Sequence, residues 1–245
     1  MLVGTVMQGT HIPIRTWLFV LMEMCASKNG LAAREVQRKY GLTPKSAWLL
    51  TQRIREVMVE KRPEALVGTI VADEAWIGGR ARNKYGTITG HKPERYVPKK
   101  AIVLTLIHPE SGRAQSKVIP NVTADTLYGA IVRQVQVRGS VLWTDEAKTY
   151  NTVGNQFDAH EQVWHSGGEY VRGNISTNAA ESYFSQLKRS LDGTFHAVRH
   201  EHLHRYLAEF DYRHTTRKIS DDARVQKLLD RFAGRSLTYE ALTAA

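Results

Sequence analysis

Apolar residues recur along this chain with two different periods, and the change from one to the other divides it. Over residues 14–60 the period is helical: Trp17, Leu18, Leu21, Met22 and Met24 fall at mixed three- and four-residue spacings. A second segment, LAAREVQRKYG from Leu31, stops at Gly41. LTPKSAWLLTQRIREVM follows, with Thr43 suited to an N-cap and Pro44 to the first helical position. Leu49, Ile54 and Val57 continue an apolar stripe, while Lys45, Arg53 and Arg55 are polar. Two helices joined by a short glycine-containing turn have the form of a helix-turn-helix, and equally of an ordinary helical hairpin. On the first reading the second helix offers Lys45, Ser46, Gln52 and Arg53 to DNA.

From Ala65 the period shortens. LVGTIVADEAWIGG is β-branched and apolar, then acidic, then glycine-containing, and reads as a buried strand ending at Asp73. KKAIVLTLIHP and RAQSKVIP predict two more strands, TADTLYGAIVRQVQ a helix, SVLWTDE a strand ending in an acid, and EQVWHS a short strand. NAAESYFSQLKRSL, LHRYLAEFDYRHTTR and DARVQKLLDRF complete the chain as helices. Three strands, a helix, a strand, a helix, a strand and a helix make an α/β order with a mixed sheet, the order of a ribonuclease-H-like core and, in part, of many other α/β folds. Trp17, Trp48, Trp76 and Trp143 sit among apolar residues and are expected in the core.

Charge changes this picture. Among 245 residues, Lys and Arg number 34 against 24 Asp and Glu, a net charge of +10 that suits a polyanionic partner, with a merely basic surface as the alternative. Residues 80–100 carry Arg80, Arg82, Lys84, Lys92, Arg95, Lys99 and Lys100 against Glu94 alone, so this segment is either a DNA contact or a solvated loop. Cys25 is the single cysteine, which excludes an internal disulfide and a CxxC zinc site. The longest apolar run, residues 17–26, contains Glu23 and is too short to span a bilayer, and no signal-peptide pattern opens the sequence. A cytoplasmic protein is expected.

Three acids stand out by context. Asp73 follows the apolar run GTIVA and Asp145 follows VLWT, both at strand ends, where side chains emerge into a cleft. Glu181 lies near the start of NAAESYFSQLKR, on a helix able to bring its carboxylate beside the other two. Packed carboxylates repel one another unless a cation joins them, so such a triangle reads as a site for hard dications with oxygen ligands. Two such ions, about 3.5–4 Å apart, assist in-line attack at a phosphodiester. A strand-end turn or cap is the plain alternative for each Asp. Glu74 and Glu146 rank below because a one-residue shift points them elsewhere.

Thirty-five residues, 146–180, separate Asp145 from Glu181, and six more separate Glu181 from Lys188. VGTVMQGTHIPIRTW, AAREVQRKYGLTPKSAW, VADEAWIGG, WTDEAKTY, STNAAESYFSQLKRSLDGTFHAV, HLHRYLAEFDYRHTTR and SLTYEALT occur in order. On these residues the chain resembles the Asp–Asp–Glu transposase and integrase superfamily, and within it the ISXO-type group of bacterial insertion-sequence transposases. The resemblance implies a ribonuclease-H-like fold, metal ligation by Asp73 and Asp145, two Mg²⁺ or Mn²⁺ ions, and phosphodiester cleavage followed by strand transfer. The third ligand varies in this group. Glu181 fits the wider superfamily's spacing, and Asn178 is the alternative; three residues apart, they share a helix face. They also fit an N-cap and its capping-box partner. Lys188 and Arg189, two turns beyond Glu181, are placed to hold a phosphate or to form a solvated helix face. Relatives usually carry an amino-terminal zinc ribbon, for which a single cysteine supplies no ligand set.

The expected division is a helix-turn-helix region over 1–64, a catalytic domain over 65–215 and a helical tail over 216–245. The expected partners are double-stranded DNA at element ends and target, and further copies of the chain on DNA; the expected place is the bacterial cytoplasm, at the nucleoid. A DNA-binding regulator without chemistry and a nuclease that cuts without joining are the rival readings.

Overall fold

The computed structural model describes residues 2–61, 63–78, 82, 83, 95, 96, 100–164, 171, 172, 175–196 and 198–244. Three helices come first: α1 (Ile14–Ala26), α2 (Ala33–Tyr40) and α3 (Pro44–Met58). Gly41 ends α2 at φ 64°, in the left-handed region that favours glycine. The Thr43 hydroxyl accepts from the Ser46 backbone N–H and so caps α3. Trp17, Leu21 and Met24 of α1 meet Ala47, Leu50 and Ile54 of α3 in one apolar cluster. Tyr212, Leu228 and Phe232, from the far end of the chain, complete that cluster.

The middle of the chain runs β1 (Leu66–Ile77), β2 (Arg82–Asn83), β3 (Arg95–Tyr96), β4 (Ala101–His108), β5 (Arg113–Ile119), α4 (Ala124–Ile131), β6 (Val135–Asp145), α5 (Thr149–Gly154) and β7 (Ala159–Val163). After the short β8 (Val171–Arg172) and β9 (Ile175–Ser176) come α6 (Asn178–Ser190), α7 (Leu203–Thr215), α8 (Asp221–Leu229) and α9 (Tyr239–Thr243). Five strands form the main sheet in the order β5-β4-β1-β6-β7. β4 is antiparallel to β1 and β5; β1, β6 and β7 run parallel. This is the mixed, ribonuclease-H-like sheet that the element order predicts.

Each face of the sheet has its own core. Val71, Ala75, Val103 and Ile107 pack against Tyr183, Phe184 and Leu187 of α6 and Leu207 and Phe210 of α7. On the opposite face Ile70, Ala72, Leu104 and Leu142 pack against Leu127 and Ile131 of α4 and Tyr150 and Val153 of α5. The strands are therefore buried on both sides, which explains their near-continuous apolar runs.

Three expectations are corrected. β1 continues through Asp73 to Ile77, because its antiparallel pairing with β4 persists to Ile77 opposite Ala101. The helix expected over 123–136 ends at Ile131, and β6 already begins at Val135. Trp76 is 51 % exposed, next to last in β1, whereas Trp17 is buried as expected. Among the described residues, no helix is long and apolar enough to cross a membrane.

Candidate active site

β1 and β6 run parallel with Val71 opposite Trp143, and both side chains belong to the α6 face. Strand side chains repeat every two residues, so Asp73 and Asp145, one repeat further on, emerge side by side on that face. Asp73 stands where β1 keeps its antiparallel partner, opposite Thr105. Asp145 is the last residue of β6, and its Oδ1 accepts from the Ala147 backbone N–H at 3.0 Å.

Glu181 reaches the same place from α6. That helix buries Ala180, Tyr183, Phe184 and Leu187 at three- and four-residue spacings against the sheet. A polar contact fixes it further: the Tyr183 hydroxyl donates to Asp211 Oδ1 of α7 at 2.7 Å, and Ser116 Oγ of β5 lies 2.8 Å from that hydroxyl. Glu181 is thereby held in the first turn of the helix, where the macrodipole favours a carboxylate. Thr177, the N-cap residue, lies with its hydroxyl 3.5 Å from Glu181 Oε1.

Asp73, Asp145, Glu146, Thr177 and Glu181 line one open cavity of about 220 Å³. Burial, followed by the charges of Glu74, Asp145 and Glu181, pushes the Asp73 carboxyl up from an ordinary 3.8 to about 7, against the opposing hydrogen bond from the Glu74 backbone. Glu74 points to the other face, where the Tyr150 hydroxyl donates to it. Burial is also the main reason its pKa is raised.

This donor set fits hard dications in type: carboxylates with oxygen donors around a partly desolvated cleft, where a cation would offset the burial and like charge that raise the Asp73 pKa. The three carboxylates are not drawn together to coordinating distance; among the described residues no group of three His, Cys, Asp or Glu side chains is close enough to hold an ion.

Asn178 is the first residue of α6, exposed, and does not line the cavity. Glu146 does line it, a correction to its expected orientation: the strand's alternation ends at Asp145, so the next residue is not bound to the opposite face. Thr177 was not foreseen as a site residue; its sequence signals are a hydroxyl just ahead of a helical run and its place in STNAAESYFSQLKRSLDGTFHAV. Lys188 and Arg189 are both exposed in the last turn of α6. Lys188 lies about 10 Å along the axis from Glu181 and on the same side, seven residues being close to two turns.

The expected DNA contacts of α3 land differently. Gln52 is fully buried and donates to the Tyr206 hydroxyl at 3.2 Å, so its expected exposure to a groove is corrected: α7 covers that side of α3. Arg53 Nε donates to the Leu237 carbonyl at 2.8 Å. Ser46 Oγ accepts from the capping Thr43 hydroxyl at 2.9 Å. Lys45 is exposed, with its ammonium 3.8 Å from the Tyr239 ring centroid. Arg80 and Lys84 lie outside the described residues, and Arg82 is described only as backbone in β2.

A mixed five-stranded sheet with two neighbouring strand-borne aspartates and a helix-borne glutamate around one cleft defines a protein of the ribonuclease-H-like class. Residues 65–215, more than half of the chain, match the ISXO2-like transposase domain, and the chain belongs to that family. An uncharacterized protein in transposable element ISH50 of Halobacterium salinarum (strain ATCC 700922 / JCM 11081 / NRC-1) is 25 % identical over 220 residues, 86 % of this chain and 72 % of the relative. Among solved structures, the catalytic core domain of BIV integrase is similar with a TM-score of 0.40 and 14 % identity, over 63 % of this chain and 87 % of that one.

Proposed function

We propose that this protein is a metal-dependent transposase that hydrolyses a DNA phosphodiester at an element end and then joins that end to target DNA, the freed 3′-hydroxyl attacking a target phosphodiester and displacing the target's own 3′-hydroxyl. The observation that carries this reading is the convergence of Asp73, Asp145 and Glu181 on one cleft in a chain of the transposase family. Asp73 and Asp145 would hold Mg²⁺ or Mn²⁺ from the sheet and Glu181 from α6, in preference to Asn178, whose side chain lies off the cavity. When bound, two such ions would supply positive charge for the attacking and leaving oxygens, with Asp73, Asp145 and Glu181 as their protein ligands. The protein's own part is to orient: paired strands hold the aspartates, the buried face of α6 holds Glu181, and Lys188 further along that helix is placed to hold a substrate phosphate. The net charge of +10 supports a DNA partner. Lys45, Ser46, Arg53, Arg80, Arg82, Lys84 and Arg189 remain candidate backbone contacts, subject to the packing described above. The protein would act on paired ends as a homo-oligomer, in the cytoplasm at the nucleoid, with the division at about residues 64 and 215 separating end recognition from chemistry.

The test is a strand-transfer assay in Mg²⁺ with labelled duplexes made from the DNA on either side of the gene. Joined product from the wild-type chain, absent from Asp145→Asn, supports the proposal. Cutting without joining makes the protein a nuclease, and DNA binding with neither makes it a regulator.

A further inference from the structure

A second cavity, of about 280 Å³, lies on another side of α6, between that helix, α7 and the end of α1, and none of the cleft's acids lines it. Its walls carry Lys28, Arg213, Arg217 and Arg224, with Ser27, Gln186 and His214 as polar neighbours and, among the described residues, no carboxylate. The cations differ in how far they are already satisfied. Arg224 donates to Asp221 Oδ1 at 2.9 Å and to the Cys25 carbonyl. Arg217 donates to backbone carbonyls of Gly112 and His214. Among the described residues neither Arg217 nor Lys28 pairs with a carboxylate, and both are exposed.

Arg213 is the unusual one. It is only 8 % exposed, and its guanidinium sits 4.3 Å from the Phe210 ring centroid. One Nη donates to the Ser27 carbonyl at 2.9 Å and lies 3.5 Å from Glu209 Oε1. Among the described residues its Nε and its other Nη have no hydrogen-bond partner, and both atoms are shielded from solvent. Buried donors without partners are costly, and turning the guanidinium fork of this cavity-lining side chain outward would give them a tetrahedral oxyanion to match. Two further cations without carboxylate partners stand at the same wall.

We propose that this cavity is a phosphate-binding site, separate from the acidic cleft, in which Arg213, Arg217 and Lys28 take one phosphate group. The phosphate comes either from the backbone of a DNA strand lying across α6 and α7 or from a small phosphorylated molecule. The site does not depend on the metal chemistry proposed above, and an inactive enzyme would still possess it.

The experiment is titration of the full chain with inorganic phosphate by calorimetry, in EDTA so that no dication bridges the anion to the cleft. Parallel titrations use a short duplex DNA at several salt concentrations. Lys28→Ala and Arg217→Gln, both at exposed positions, are compared with wild type, and Arg213→Lys keeps the charge beside Glu209 while removing the fork. Each variant is expected to bind phosphate at least about tenfold more weakly, the size of one lost charge-assisted contact. If DNA affinity falls with it and the salt slope drops by about one per removed cation, the ligand is DNA backbone. If DNA binding is unchanged, the ligand is a small phosphate. Absence of phosphate binding at millimolar concentration, or equal binding by wild type, Lys28→Ala and Arg217→Gln, overturns the proposal whatever the DNA titrations show.

Discussion

Arg55 Nε of α3 donates to Glu209 Oε2 of α7 at 2.7 Å, and the side chains are 1 % and 0 % exposed. The pair joins the amino-terminal helices to the helix that covers the sheet. Tyr206 and Phe195 flank the guanidinium, with ring centroids 4.1 Å and 5.2 Å away. Removing Arg55 leaves the buried Glu209 carboxylate with only the longer 3.5 Å contact to Arg213. Arg55→Met is therefore expected to lower unfolding free energy by about 3–5 kcal/mol. Urea denaturation checks it. A change within about 0.5 kcal/mol in the single variant would show that the pair is dispensable.

Gly30 packs against the same pair. Its φ is +86°, and a Cβ there would lie 2.5 Å from a Phe195 ring carbon and 2.9 Å from Glu209 Oε1. Gly30→Ala combines left-handed backbone strain with overlap on a crowded carboxylate. The expected loss is about 1–3 kcal/mol, read as a lower urea midpoint at unchanged slope. Gly41→Ala is a matched control: its φ is +64° but nothing lies within 4 Å, so it should lose less.

Glu181 and Asn178 separate by function. Glu181→Gln removes a carboxylate from the cleft and is expected to slow cleavage in Mg²⁺ by roughly 10²-fold or more, about 3 kcal/mol of transition-state stabilisation. Asn178→Ala, outside the cavity, should stay within a few-fold of wild type. Single-turnover cleavage of a labelled end measures both. The reverse ranking would transfer the third ligand to Asn178.

Mg²⁺ itself should stabilise the fold. A ligand that binds the native state alone raises the melting temperature, by about 2.7 kcal/mol of free energy at a hundredfold excess over its dissociation constant. Wild type should show this rise and Asp73→Asn should not. Equal shifts in both would place the metal elsewhere.

His214 gives the pH dependence a sign. Burial, and then the Arg217 charge, depress its pKa from an ordinary 6.5 to about 4, against the opposing hydrogen bond to the Gly112 carbonyl. Between those values the unfolded chain binds the proton and the native chain does not, so this contribution is complete above 6.5 and is lost as pH falls toward 4. Asp211 acts in the opposite sense: burial, partly offset by the Tyr183 and Ser116 hydrogen bonds, raises it from 3.8 to about 6, so its contribution falls as pH rises through that window. His214→Gln should therefore gain stability relative to wild type progressively below pH 6.5. Denaturant melts at several pH values test this, and NMR of the wild-type ring should find a midpoint near 4 rather than 6.5.

Local periodicity was enough to place β1, β4, β5 and β6, the three opening helices and the strand-borne acids Asp73 and Asp145, because a strand repeats every two residues whatever surrounds it. Thr43, Pro44 and Gly41 likewise announced the ends of α2 and α3 through their own backbone chemistry. Only the tertiary structure decided which helical residue meets the aspartates. Glu181 and Asn178 share one helix face in the sequence, and the docking of α6 through Tyr183 and Asp211 brings Glu181 alone of the two to the cavity. It also decided that Gln52 is inside, since α7 approaches α3 from 154 residues away. Arg213, read from its neighbours in the chain, looks like one more surface cation, and its burial over Phe210 exists only once α1, α6 and α7 have come together. Short-range sterics act on neighbours and leave a trace in their order; burial and charge are properties of a neighbourhood that distant segments create.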